Sequence, residues 1–299
     1  MFVAEMEQAS KSIIDIKGGS VASLPHNAVE AALQDGKAVA KTVDSPTSTN
    51  ATTTQKVAII TGASSGIGKA VALHMASNNY NIVLVARKKE GLHQVEQELA
   101  KYKVSVLIRE CDVTKVVQVH ETIQHTIKIF GRIDALVNCA GYGVYGPLET
   151  MRLEDINGQI LTNYFGTVLF IKETLSKLKE SKGVIVNIAS IAGLVGVPNL
   201  AAYSASKHAV VGLSESLRIE LNGTGVTVCC VCPGKVKTNF FTHESFKEVD
   251  WAQDDSGIIP SVVARVVDKA IRERKFLYTV PTNKGWQLLL ASGNLICCF

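Results

Sequence analysis

From Lys56 onward, short runs that are apolar at every position alternate with longer stretches whose apolar residues recur every three or four positions. An unbroken apolar run is the pattern of a strand buried on both faces, and a period of 3.6 marks a helix with one buried stripe. Strands are predicted at 57–61, 81–86, 104–108, 133–139, 184–188, 226–232 and 276–280. Helices are predicted between them at 66–77, 90–102, 116–130, 152–179, 202–221 and 262–273. In the first helix Ile67, Val71 and Met75 fall at helical spacing. Wholly apolar strands alternating with helices imply a parallel sheet covered on both faces. Right-handed crossovers then wind it into a doubly wound α/β, Rossmann-like fold. One domain over residues 56–282 accounts for the pattern.

The two ends read differently. Residues 1–55 hold no aromatic except Phe2 and no Arg, and 45–55 (SPTSTNATTTQ) is a polar, Thr-rich linker. A short helix over 28–41 is the one element this leader suggests; the rest reads as a disordered extension. It has neither the apolar core of a secretory signal nor the Arg-rich character of a transit peptide. Residues 283–299 form an apolar tail, and its stretch 286–299 is too short to span a bilayer. It can pack on the domain, join copies of the chain or touch a membrane.

Composition narrows the picture little. The 299 residues are 46% hydrophobic and 19% charged, ordinary values for a globular chain. The net charge of +4 is spread along the sequence without interleaved aromatics, which argues against nucleic-acid binding. The seven cysteines lack metal-ligand spacing, and Cys139, Cys229, Cys230 and Cys232 lie in apolar runs. They read as reduced thiols, which points to the cytoplasm, with membrane association through the tail as the alternative.

Candidate chemistry begins where the first strand meets the first helix, at Thr61-Gly62-Ala63-Ser64-Ser65-Gly66-Ile67-Gly68. Glycines there permit a tight turn and close approach of a ligand, and the helix N-terminus offers free N–H groups to a pyrophosphate. The spacing is Gly-x-x-x-Gly-x-Gly, and an ordinary glycine turn would share it. The second strand runs into Ala86-Arg87-Lys88-Lys89, where a fold selecting NAD would carry an acid. An arginine there binds a 2′-phosphate through parallel donors, so NADP(H) is expected, with Arg87 and Ser64 as contacts. Asp112-Val113 follows the third strand and Asn138-Cys139-Ala140-Gly141 the fourth, both at carboxyl ends where such sheets bind ligands. Tyr203 and Lys207 are four apart in a helical stretch and share a face. A cation beside a phenol favours its ionised form. Alone, the pair is better read as an ordinary helix surface, where such spacing is common.

Taken together, Thr61–Gly68, Asp112-Val113, Asn138–Gly141, Asn163, Ser190, Tyr203/Lys207 and Pro233-Gly234 resemble the short-chain dehydrogenase/reductase family, over about 56–282. Cys139 stands where that family usually has a second Asn, and the leader has no counterpart in its pattern. The resemblance implies that Tyr203 is the acid/base, and that Lys207 lowers its pKa and holds the nicotinamide ribose. It implies that Ser190 polarises the substrate carbonyl and that Asn163 holds a water linking Lys207 to solvent. Gly62, Ser64, Ser65, Gly66, Ile67, Gly68, Asp112, Val113, Asn138, Ala140 and Gly141 would hold the dinucleotide. Pro233, Gly234, Val236 and Thr238 would contact its nicotinamide end. Homo-oligomers through the fourth and fifth helices are also implied.

Hydride addition builds negative charge on a carbonyl oxygen, which needs a donor to stabilise it and an acid to protonate it. Ser190 and Tyr203 supply both. Phe240, Phe241, Phe246 and Trp251 in the loop 238–260, with Tyr142, Val144, Tyr145, Pro147 and Leu148, favour a lipophilic or bulky ketone, although aromatics there can equally cap the core. The expectation is an NADPH-dependent carbonyl reductase, reversible as an alcohol dehydrogenase. The alternative is a catalytically idle NADP(H) sensor or scaffold.

Overall fold

The computed structural model describes residues 55–280 apart from 255. The expectations for the leader before residue 55 and for the apolar tail lie outside the described residues. Seven strands, β1 (Val57–Thr61), β2 (Asn81–Ala86), β3 (Val106–Glu110), β4 (Ala135–Asn138), β5 (Val184–Ile188), β6 (Thr227–Pro233) and β7 (Leu277–Val280), form one sheet. Their order is β3-β2-β1-β4-β5-β6-β7, and every adjacent pair is parallel. The order reverses between β1 and β4, the switch point at which a crevice opens beyond the strands' carboxyl ends.

Helices α1 (Gly66–Ser77), α2 (Lys89–Leu99), α3 (Val116–Phe130), α4 (Leu153–Ile160), α5 (Gly166–Ser181), α6 (Ala201–Glu220), α7 (Asp250–Gln253) and α8 (Pro260–Glu273) complete the described chain. Strand periodicity divides the core. Ala58 and Ile60 of β1 pack with Val71 and Met75 of α1 and Val263 and Val267 of α8. Val57 and Ile59 face the other way, onto Val119 and Ile123 of α3 and Phe170 and Leu178 of α5. All are buried, so each sheet face carries its own hydrophobic layer.

Most boundaries follow the sequence pattern, and the departures have local causes. Strand β3 continues through Arg109 and Glu110, which pair with Val85 and Ala86. At a sheet edge, backbone pairing tolerates exposed polar side chains that a hydrophobic pattern does not register. Strand β4 begins at Ala135, later than expected, although the Asp134 backbone still bonds Val57 and Val184; the Asp134 carboxylate accepts the N–H of Val57 at 2.8 Å and is gripped twice by Arg132. The single helix expected over 152–179 is interrupted by a π-helical turn, Leu161–Phe165, with Asn163 at its centre.

Candidate active site

The turn after β1 is shaped by what surrounds it. Gly62 and Gly66 have φ of +65° and +54°, a region that disfavours residues with a Cβ. A Cβ on Gly68 would lie 2.3 Å from the carbonyl oxygen of Gly62, so α1 packs against the turn only because that atom is absent. Thr61 pins the turn to the neighbouring loop: its hydroxyl accepts N–H bonds from Cys139 at 3.0 Å and Ala140 at 3.1 Å. Ser65 precedes α1 without a side-chain cap, so the first-turn N–H groups face the cleft without a side-chain partner.

These elements wall a cleft of about 720 Å³. Gly62, Ser64, Ser65, Gly66, Ile67 and Gly68 form its floor, with Arg87 and Lys88 at the end of β2. Asp112 and Val113 after β3, and Ala140 and Gly141 after β4, close the other side. Asp112 is fixed by its own turn, its carboxylate accepting both the backbone N–H and the hydroxyl of Thr114. The cradle fits a dinucleotide: uncapped helix donors and cations lie where glycines leave room for phosphates.

Asn138 departs from its expected place. It is buried below the cleft, donating through Nδ2 to Asn187 at 2.9 Å, and Asn187 donates in turn to Ser214. Its Oδ1 has no hydrogen-bond partner among the described residues. Side chains alternate along a strand, and at this register Asn138 points into the protein.

Ser190 follows β5 and starts the short turn Ile191–Gly193, accepting the Ala192 N–H at 3.1 Å and reaching the Pro233 carbonyl at 3.4 Å. That turn sits close on α6, where a Cβ on Gly193 would meet the Lys207 carbonyl oxygen at 2.7 Å. Tyr203 and Lys207 both lie in α6, and the Lys207 Nζ is 5.8 Å from the Tyr203 ring centroid. Burial pushes the Tyr203 phenol up to about 12, with the hydrogen bond to Ser190 pulling the other way. Burial also draws the Lys207 ammonium down to about 8. Desolvation therefore dominates both shifts in the chain alone, because each charged form loses water without full compensation. Lys207 is anchored by the Ile188 carbonyl, 2.9 Å from Nζ.

The π-helical turn re-aims Asn163 across the site. Its Nδ2 donates to the Tyr142 carbonyl at 2.9 Å and to Ser206 Oγ at 2.8 Å, while Oδ1 accepts the Tyr142 N–H at 3.0 Å. Both amide donors are thus consumed within the protein. Ser206, fully buried, passes the chain on to the Tyr203 carbonyl. The backbone of Gly141 lies against both groups: a Cβ there would meet Asn163 Oδ1 at 2.9 Å and Lys207 Nζ at 3.3 Å. Ser206 lies inside the Tyr203–Lys207 stretch, but its sequence neighbourhood carries no sign of this role.

A second cavity, of about 340 Å³, lies over Ser190 and Tyr203 and shares Ile67, Thr238 and Phe240 with the cleft. Pro233, Gly234 and Val236 belong to this cavity and not to the cleft. Phe240, Phe241 and Trp251 line it, and Phe240 meets the Tyr203 ring edge-on at 5.3 Å. Phe246 is fully buried beneath them, packed against Tyr145, Phe241 and Trp251. The loop aromatics therefore both line the pocket and form a small core of their own. Pro147 and Leu148 are exposed and take no part. His243 caps a short turn by accepting the Ser245 N–H.

Comparison with known proteins gives the family. The family model described as short chain dehydrogenase matches residues 56–248. A 3-ketodihydrosphingosine reductase of Bacteroides thetaiotaomicron is 34% identical over 201 residues, 67% of this chain and 71% of that protein. Actinorhodin polyketide ketoreductase with NADPH superposes with a TM-score of 0.70 at 33% identity, covering 77% of this chain and 97% of that one. A short-chain dehydrogenase/reductase from Burkholderia phymatum in complex with NAD gives 0.73 at 28% identity, covering 79% and 92%. The chain belongs to the short-chain dehydrogenase/reductase family and is an oxidoreductase of that class.

Proposed function

We propose that this protein uses NADP(H) to reduce a bulky or lipophilic ketone to a secondary alcohol, and runs in reverse as an alcohol dehydrogenase. The observation that carries the reading is the meeting of Ser190 and Tyr203 on one wall of an apolar cavity that adjoins the glycine-turn cleft. Bound NADPH supplies the hydride. Ser190, held by the Ala192 N–H, donates to the carbonyl oxygen and stabilises the charge that develops there. Tyr203 then gives that oxygen its phenolic proton. A phenol held near 12 keeps its proton across neutral pH, the state an acid requires. In the reverse direction Lys207 is the nearby cation that favours the phenolate. Lys207 also faces the Gly141 backbone at the cleft, where it can hold a ribose hydroxyl. Asn163 keeps the Tyr142 backbone and α6 in register around that cation.

Arg87 and Lys88, with no acid at the end of β2, support the phosphorylated cofactor, and the NADPH-bound ketoreductase relative supports it too. Exposed Leu153, Leu161 and Phe165 on the 153–165 stretch, with Ile219 on α6, support a homo-oligomer. Among the described residues no helix is long and apolar enough to cross a membrane.

The decisive measurement is NADPH oxidation, followed by absorbance, over a panel of ketones. Tyr203→Phe is expected to lower kcat at least 100-fold on any ketone that is reduced, the scale of a lost general acid. NADPH binding should be retained. Equal turnover by the variant and the wild type would refute the role of Tyr203.

A further inference from the structure

Lys235 follows Pro233-Gly234 at the neck of the loop that covers the substrate cavity. There the backbone is tied twice to Ile258: Ile258 donates to the Lys235 carbonyl and Lys237 to the Ile258 carbonyl, both at 2.9 Å. The Lys235 side chain reaches further. Its ammonium donates to the Asp254 carbonyl at 3.0 Å, to Ser256 Oγ at 3.3 Å, to the Trp251 carbonyl and to the Asp254 carboxylate. Its Nζ also lies 5.9 Å from the Phe241 ring centroid. Four acceptors meet an ammonium with three N–H bonds, so no donor is left for a substrate anion. An exposed ion pair alone would count for little. This one differs because the lysine side chain is largely covered and two of its partners are main-chain carbonyls, whose positions set the path of the loop.

We propose that Lys235 is the specificity-determining positioning residue of the substrate cavity. It holds Trp251 and Phe241 as a fixed apolar wall, and with its charge neutralised by Asp254 it selects bulky neutral ketones over small ones and over keto acids. The inference rests on the carbonyl reduction proposed above. It extends it from a general preference for apolar substrates to a named device that enforces one.

Two variants separate the parts. Lys235→Met keeps the length and packing of the side chain and removes the ammonium, so the wall loosens. The ratio of kcat/KM for acetonaphthone over butanone should fall about tenfold, with partial recovery in Lys235→Arg. Asp254→Asn leaves the ammonium uncompensated in an apolar cavity, where it attracts a carboxylate. The preference for methyl benzoylformate over benzoylformate should then narrow at least fivefold, a gain that mere loop damage would not produce. Amide hydrogen exchange over 246–254, read without turnover, should quicken in Lys235→Met. Substrate ratios within twofold of wild type in both variants, or unchanged exchange, would overturn the proposal. If wild type reduces no ketone, quickened exchange upholds the wall and refutes the reaction; unchanged exchange refutes both.

Discussion

Lys207 is a lysine with 5% of its surface exposed, and its burial leaves a thermodynamic signature. Its ammonium titrates near 8 in the folded chain against a usual 10.5. Between those values the unfolded state binds a proton that the folded state has released. Stability therefore rises with pH across that window, and below pH 8 the full desolvation penalty applies. The gain is on the order of 3 kcal/mol. Comparing wild type with Lys207→Met by denaturant unfolding at pH 8 and pH 10 isolates it, since the methionine variant lacks the titration. A difference that stays flat, or falls, would show that the ammonium is solvated. Tyr203 acts oppositely: its raised pKa holds a proton that the unfolded chain gives up above about 10, so its effect begins as that of Lys207 ends. The same desolvation that makes the pair costly makes it responsive, because a buried group feels any charge placed beside it more strongly than an exposed one.

At the scale of elements, the turn from β1 into α1 makes the sharpest demand on sequence. Gly68→Ala puts a methyl group within 2.3 Å of a main-chain oxygen that cannot rotate away, so α1 must lift from the turn. The expected cost is about 1–3 kcal/mol in stability, by analogy with overpacked cores. NADPH affinity should fall at least tenfold as the helix N–H groups move off the phosphates. Thermal unfolding and titration calorimetry test the two losses separately; a variant with wild-type values for both would disprove the close approach. Elements such as this one were legible in the sequence because a strand buried on both faces and a glycine turn leave local marks. The π-helical turn left none. It is held by contacts between Asn163 and partners 21 and 43 positions away, which no local period encodes. The Lys235 contacts were equally silent, since half of its partners are main-chain carbonyls. Asn138 lies away from the cleft for a related reason: its neighbours in the motif face the cleft, and alternation along the strand turns this one side chain inward. Tyr203, Lys207 and Ser190 can be proposed as a set from sequence because their order along a recognisable fold constrains where each must fall.

For the whole molecule, the parallel sheet is what converts scattered motifs into one site. Every strand ends at the same edge, so the turn after β1, the cations after β2 and the loops after β3, β4, β5 and β6 converge there. That convergence sets the charge of the cleft and hence the choice of dinucleotide. Arg87 and Lys88 line it, and the side chain of Ala86 before them offers no acceptor for a ribose hydroxyl. An NADPH phosphate carries charge into this field, whereas the matching hydroxyl of NADH does not. NADPH should therefore bind more tightly than NADH by at least tenfold at low salt. Arg87→Ala should remove most of that advantage, as expected for a charge-assisted bidentate contact worth about 1.5–3 kcal/mol. Because Arg87 is exposed, the preference should shrink as ionic strength rises and the pair is screened. Fluorescence titration of both dinucleotides at two salt concentrations measures all three quantities together. A preference for NADPH that survives both Arg87→Ala and high salt would place the selection elsewhere, with Ser64 as the next candidate on the cleft wall. A preference for NADH would mean that the cations after β2 are a solvated charge run and that the cofactor is chosen by shape alone.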